Sequence, residues 1–299
     1  MRIGVDLGGT KIEGIILSND GSIAEKIRMD TPSEQYEATL DAICDIVNKL
    51  QANSPSRLSV GVGTPGALSE PSELMKNCNS ICLNGKPFKH DIESLLGYEI
   101  RMENDANCFA LSESRFGVGA NSYTVFGVIL GTGAGGSIVI NKNLLTGPNN
   151  IVGEWGHNSI PVSVRSLIGN DRDCYCGRSN CIETVLSSYG LKQTYFEQEG
   201  QHLETIEIAR RAEQGNSNAE ECIQRYCQQL ARCLATVINI VDPELIVLGG
   251  GLSNIPELYR AVPDFLKEFV FTDVIQTRLS RPAFGDASGA RGAACLWSR

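Results

Sequence analysis

The chain has 299 residues, 42% of them apolar and 20% charged, which is enough for two domains of ordinary size with full cores. A net charge of −9 excludes general nucleic-acid binding, which needs a basic face, and no apolar run approaches the ~18–20 residues that span a bilayer. The 11 cysteines are an odd number and no secretory leader follows Met1, so free thiols in a reducing cytoplasm are expected.

Ile3 to Leu17 reads as strand, turn, strand, with Gly8, Gly9, Thr10 and Lys11 at the turn and β-branched residues in both arms. The glycines open no helix, and the spacing of a Walker loop is missing. Bare turn amides suit a phosphate, and Asp6 at the end of the first strand could face a hydrated Mg2+. A plain hairpin turn explains the same residues.

Thr31, Pro32, Ser33 and Glu34 form a capping-box pattern, which predicts a helix with Tyr36, Leu40, Ile43, Val47 and Leu50 on one face. Leu58, Val60 and Val62 make a buried strand ending at Gly63 to Gly66. Asn77, Asn79 and Asn84 follow in an irregular stretch, either a solvated loop or amides for a sugar. Ile100 to Glu103 is a strand that runs through Asn104 and Asp105 into a helix expected over Cys108 to Phe116. Asp105 fits an N-cap, and also a functional carboxylate at a strand end; the two roles are compatible.

Tyr123 to Leu130 is an apolar strand, followed by Gly131, Thr132, Gly133, Ala134, Gly135, Gly136 and a strand through Ile140. This repeats the first hairpin more than a hundred residues later, which predicts a duplicated fold with one phosphate loop per half. Next comes the densest chemistry in the chain: Glu154, His157, Cys174, Cys176, Cys181 and Glu183. One imidazole and three thiolates suit a closed, structural Zn2+ site. The Cys-x-Cys spacing is tighter than a common knuckle, and a disulfide or three unrelated thiols are the alternatives. The flanking carboxylates Glu154 and Glu183 are acceptors of the kind a hydroxyl-rich small molecule needs.

Ala219 to Val241 forms a long helix, with Cys222, Cys227 and Cys233 packing on or near its apolar face. Glu244 to Leu248 is a strand opening into Gly249, Gly250 and Gly251, a third turn where a flat base or ribose could approach the backbone. Pro256 to Phe269 is expected to be helical, and a short last helix runs through Trp297.

Taken together, Asp6 to Lys11, Glu103 to Asn107, Gly131 to Gly136, Gly153 to His157, Cys174 to Glu183 and Val247 to Gly251 resemble, in this order, the motifs of the ROK sugar kinases. The resemblance covers essentially the whole chain. Asn79–Ser80, Leu83 to Phe88, Gly153 to Asn158 and Asp286 to Ala294 look closest to the bacterial fructokinase (manno-fructokinase) branch, with N-acetylglucosamine kinases as close cousins.

The resemblance implies an α/β, two-domain, actin- and hexokinase-like fold, a duplicated ribonuclease H-like architecture with an interdomain cleft and a zinc-binding loop. The domains would be 1–117, with a helix of about 288–299 packing back on it, and a larger 118–287 that carries the loop. It implies ATP-dependent phosphorylation of a hexose 6-hydroxyl, fructose first, with an N-acetylhexosamine kinase or glucokinase as the alternative. Asp105 would be the general base. Gly66, Asn79, Asn104, Glu154, His157 and Glu183 would hold the sugar, and His157, Cys174, Cys176 and Cys181 the zinc. Gly8, Gly9, Thr10, Lys11, Gly131, Thr132 and Gly133 would cradle phosphates, Asp6 would lie near Mg2+, and Gly249 to Gly251 would lie by the adenosine. A cytoplasmic homodimer without nucleic-acid or membrane partners completes the expectation. Two other classes fit the residues less well: a sugar-responsive repressor, for which a helix-turn-helix before Ile3 is expected to be lacking, and a zinc-ribbon interaction module, which leaves three glycine turns unexplained. One position departs from the family pattern: Asn180 stands where glycine is frequent, and Asn tolerates left-handed backbone angles.

Overall fold

The computed structural model describes residues 1–32, 34–69, 71–78 and 80–297, with the side chain of Asp286 left aside. In chain order the strands are β1 (Arg2–Leu7), β2 (Lys11–Leu17), β3 (Ile23–Asp30), β4 (Ser59–Thr64), β5 (Ala67–Ser69), β6 (Leu74–Lys76), β7 (Arg101–Asn104), β8 (Thr124–Leu130), β9 (Ala134–Ile140), β10 (Asn143–Leu144), β11 (Leu245–Gly249) and β12 (Arg278–Ser280). The α-helices are α1 (Tyr36–Ala52), α2 (Phe88–Leu96), α3 (Asp105–Arg115), α4 (Val162–Arg165), α5 (Glu183–Leu186), α6 (Ser188–Glu199), α7 (Thr205–Glu213), α8 (Ser217–Val241), α9 (Glu257–Leu266) and α10 (Ser288–Cys295). Two compact units divide the chain: Met1–Ala120 with Lys142–Val152 and Ala283–Arg299, and Asn121–Asn141 with Gly153–Pro282. Among the described residues, no helix is long and apolar enough to cross a membrane.

The two main sheets have the same plan. One runs β3-β2-β1-β4-β7 and the other β10-β9-β8-β11-β12. In each, a glycine-turn hairpin (β1–β2, β8–β9) is extended by parallel strands from its first arm. The duplication expected from the two turns is therefore real at the level of strand order. β1, β4 and β11 are near-continuous apolar runs, as strands covered on both faces require. β3 alternates residue by residue between half-buried and exposed, as an edge strand does.

Helix α10 closes the first unit from beneath. Its small residues let backbone meet backbone: a Cβ built on Gly4 would stand 2.0 Å from the carbonyl oxygen of Ala290, and one on Gly61 would stand 1.8 Å from that of Ala293. A Cβ on Gly292 would stand 1.7 Å from the carbonyl oxygen of Cys108 in α3, where no flexible side chain can yield. Gly292→Ala is expected to cost about 1–3 kcal/mol, which thermal unfolding would register as a drop of roughly 3–10 °C. The other fastening is Glu113, fully buried in α3. Its carboxylate accepts the backbone N–H of Ala283 (2.9 Å), Phe284 (3.2 Å) and Val118 (3.3 Å) and the hydroxyl of Ser288 (3.0 Å).

Several helix boundaries differ from the sequence reading, the last helix among them, which ends at Cys295 and not at Trp297. α1 starts at Tyr36 after Gln35, which makes no side-chain cap bond; Glu34 has φ of +62°, and Ser33 lies outside the described residues. α3 starts three residues earlier than expected because the Asn104 side chain caps it, accepting the N–H of Asn107 at 2.7 Å. Asp105 is therefore the first helical residue and not the cap. α8 begins at Ser217, capped by Asn216, and α9 ends at Leu266. The apolar faces stand as expected: Tyr36, Leu40, Ile43, Val47 and Leu50 are buried, as are Cys222, Cys227 and Cys233.

Candidate active site and metal centre

In the first unit the parallel strands bring three segments to one edge. Asp6 lies beside Gly63, and Thr64 beside Asn104, so the carboxyl ends of β1, β4 and β7 line up. This is the edge at which open α/β sheets bind ligands. Asp105 is exposed there, and its Oδ1 accepts the N–H of Ala106 at 2.8 Å. Cys108, one turn along α3, is fully buried, and that burial holds its thiol well above the ordinary range. The Asp6 carboxylate is wedged between bare backbones: a Cβ on Gly289, at the start of α10, would come within 2.3 Å of it, and one on Gly63 within 3.4 Å. Gly289 gave no signal of this contact beyond its place in the Asp286 to Ala294 run, because its partner is remote in sequence.

Gly9, Thr10 and Lys11 are exposed at the first turn, which is closed by the Gly8 N–H donating to the Lys11 carbonyl at 3.0 Å. The Thr31 hydroxyl braces it by donating to the Gly8 carbonyl at 2.7 Å. The Lys11 ammonium pairs with Asp30. Gly66 follows β4; a Cβ there would meet the Cys78 sulfur at 2.4 Å. Asn79 lies outside the described residues.

In the second unit two glycine turns meet. The Gly131 N–H closes its turn on the Gly133 carbonyl at 2.9 Å, and Thr132 is exposed at the tip. Gly250, at φ of +79°, packs on the last residue before that turn: a Cβ there would stand 2.4 Å from the Leu130 carbonyl. Only glycine permits both the angle and the approach. The second unit also holds a cavity of about 560 Å³, lined by Ile223, Gln224, Ile255, Pro256 and Glu257. Gln224 donates to Glu257 at 2.7 Å on its wall. α8 supplies Ile223 and Gln224 to this wall, which the helix periodicity alone did not mark as functional.

Glu183 begins α5, and its Oε2 accepts the N–H of Ala134 at 3.0 Å. The candidate hydroxyl-binding carboxylate therefore touches the residue that ends the second glycine turn. Glu154 is exposed, immediately before the short 3-10 turn Trp155–His157. Trp155 is buried and its indole donates to the Gly135 carbonyl at 2.9 Å, which ties this segment to β9.

His157, Cys174, Cys176 and Cys181 converge, each offering a ligand atom within 4.8 Å of the others. The Cys174 sulfur is 3.6 Å from His157 Nδ1, and the Cys176 and Cys181 sulfurs are 3.6 Å apart. Tetrahedral ligands at Zn–S distances of ~2.3 Å stand about 3.7 Å apart, so the residues fit zinc. All three thiols are free in this structure. Hydrogen bonding from Arg178 draws the Cys176 thiol down to about 6, toward the thiolate a metal needs, while burial pushes Cys181 up to about 12. His157 Nε2 sits 2.9 Å from the Tyr175 hydroxyl, an outer partner that would orient the ring with Nδ1 toward the metal.

The loop has a second anchor that the sequence did not reveal. Arg172 is buried; its guanidinium donates to the carbonyls of Thr184 and Gly190, both at 3.1 Å, and to Thr194 Oγ1 and Glu197, both at 3.0 Å. Asn180 takes φ of +56° and uses its amide oxygen to accept the Arg172 N–H at 3.0 Å, so asparagine serves in place of glycine here.

Comparison with known proteins accounts for this arrangement. The chain matches the ROK family over residues 2–299. It is 39% identical over 299 residues to an N-acetyl-D-glucosamine kinase of Citrobacter koseri, covering 99% of both chains. It superposes on a ROK hexokinase from Thermus thermophilus with a TM-score of 0.87, at 26% identity over 98% of this chain and 96% of that one. A ROK family glucokinase from Streptomyces griseus, solved with glucose and AMPPNP, superposes with a TM-score of 0.78, at 26% identity over 99% and 98%. The chain belongs to the ROK family and carries its two-domain α/β sugar-kinase fold.

Proposed function

We propose that this ROK-family sugar kinase transfers the terminal phosphoryl group of ATP to the 6-hydroxyl of N-acetyl-D-glucosamine. The observation that carries this reading is the 39% identity, end to end, with a kinase of that sugar. The expectation of fructose first, drawn from short motif stretches, gives way to the alternative stated beside it.

The chemistry asks for alignment and charge neutralisation more than covalent work. Asp105, exposed at the end of β7, accepts the proton of the attacking hydroxyl, with the Ala106 N–H fixing one of its oxygens. Asn104, Gly66, Asn79, Glu154 and Glu183 hold the remaining sugar groups. His157 adds its Nε2, which it then shares with Tyr175. The turns Gly8 to Lys11 and Gly131 to Gly133 receive the phosphates in a protein of net charge −9, with the Gly8 and Gly131 N–H groups closing the turns and the amides between them facing the ligand. Asp6 would hold, through water, the Mg2+ brought with the nucleotide, and that ion would supply neutralisation of phosphate charge. Gly249 to Gly251 take the adenosine. His157, Cys174, Cys176 and Cys181 would hold a structural zinc, which would fasten the loop and supply no chemistry to the transfer. A homodimer belongs to the same reading.

A coupled assay over a panel of hexoses tests it. N-acetyl-D-glucosamine is expected to exceed fructose, mannose and glucose in kcat/KM by about tenfold or more, the scale of one or two hydrogen bonds read by a polar site. A preference for fructose returns the assignment to the fructokinase branch.

A further inference from the structure

Both ends of the second glycine turn are held by the segment that follows the zinc loop, at the starts of α5 and α6. The Gly131 carbonyl accepts the N–H of Ser188 at 2.7 Å, and the Ala134 N–H donates to Glu183 Oε2 at 3.0 Å. A Cβ on Gly133 would stand 2.6 Å from that same oxygen, so the carboxylate lies directly against the turn. The Ala134 carbonyl is covered by Gly156, where an added Cβ would stand 1.9 Å away. Every one of these holds is backbone on backbone except Glu183. It is the one member whose position a bound ligand can change.

We propose that Glu183 is a positioning residue that couples sugar binding to the phosphate turn, so that sugar and nucleotide bind cooperatively. The proposal rests on the reading of Glu183 as a sugar ligand. A carboxylate has two oxygens. One takes the Ala134 N–H; a sugar hydroxyl donating to the other fixes the side chain in the rotamer that keeps the first bond. The turn is then ordered before the nucleotide arrives, and less freedom is lost when its amides meet phosphate. Linkage makes the effect reciprocal: the nucleotide tightens sugar binding by the same factor.

The test is isothermal titration of the full-length, metal-loaded protein with Mg-AMPPNP, with and without saturating N-acetyl-D-glucosamine. Wild type is expected to bind the nucleotide about tenfold more tightly with sugar present, and Glu183→Ala to show a ratio near one at saturating sugar. A wild-type ratio of one, or an unchanged ratio in the variant, overturns the coupling while leaving the sugar assignment standing. Unchanged sugar affinity in Glu183→Ala without nucleotide instead removes Glu183 from the sugar site, and the coupling with it. Should the variant bind sugar too weakly to saturate, hydrogen exchange of the wild-type Gly131–Gly136 segment decides. Sugar alone slows it about tenfold under the proposal, and no slowing overturns it.

Discussion

Asp105→Asn is expected to lower kcat by about a thousandfold, within the 10²–10⁴ range that a positioned general base contributes, while sugar affinity stays within a few-fold of wild type. The substitution keeps shape and hydrogen bonding: an amide oxygen can still accept the Ala106 N–H, and the α3 cap is untouched because Asn104 supplies it. What disappears is the capacity to take a proton. Thermal unfolding should therefore stay close to wild type, which separates loss of chemistry from loss of fold. Titration with the sugar and a coupled assay on the same preparation read both sides. Turnover near the wild-type rate would remove Asp105 from the role of base and leave the edge of the first sheet without a catalytic group.

Loss of the metal is expected to have the largest effect on stability. Protein purified without chelator should carry about one zinc per chain, the complement of a closed four-ligand site. Cys181→Ser, at a position 1% exposed, or prolonged chelation should empty the site. If the metal stabilises its unit by about 3 kcal/mol, the melting temperature falls by roughly 10 °C. The change should be graded along the loop. Segments around His157 and Cys176 lose their fastening, whereas those near Arg172 keep bonds to α6 that owe nothing to the metal. Hydrogen exchange would resolve the two behaviours. Zinc-free protein that melts with wild-type behaviour would show that the cysteines are packing residues and no more.

What could be read from the sequence follows the distance over which each feature is encoded. The glycine hairpins were legible because strand period and turn residues lie within fifteen positions, and their repetition pointed to two sheets of one plan. The ligand set of the loop was legible because few chemistries use one histidine and three close cysteines. Capping of α3 was misjudged because Asn104 and Asp105 are both good caps and adjacent; only the bond to Asn107 decides between them. The contacts of Glu183 with Ala134, of Glu113 with Ala283 and of Gly289 with Asp6 span 49 residues or more, and no local pattern announces them. The sugar was the least legible feature for a related reason. Of the stretches that favoured fructose, Asn79 lies outside the described residues and Asp286 to Ala294 runs into α10, which packs on β1, β4 and α3.

The place of α10 has a consequence for how the protein is made. The last helix of the chain fills a slot against β1, β4 and α3 that only small residues fit. During synthesis the amino-terminal segment emerges first but lacks this piece until residues 288–295 have been made, whereas the second unit ends at Pro282 and is made earlier. Translation thus reverses the usual order, with the later-encoded unit finishing first and the earlier one waiting with an uncovered apolar face. Truncation just before Ser288 would leave that face bare and deliver the nascent product to chaperones and proteases.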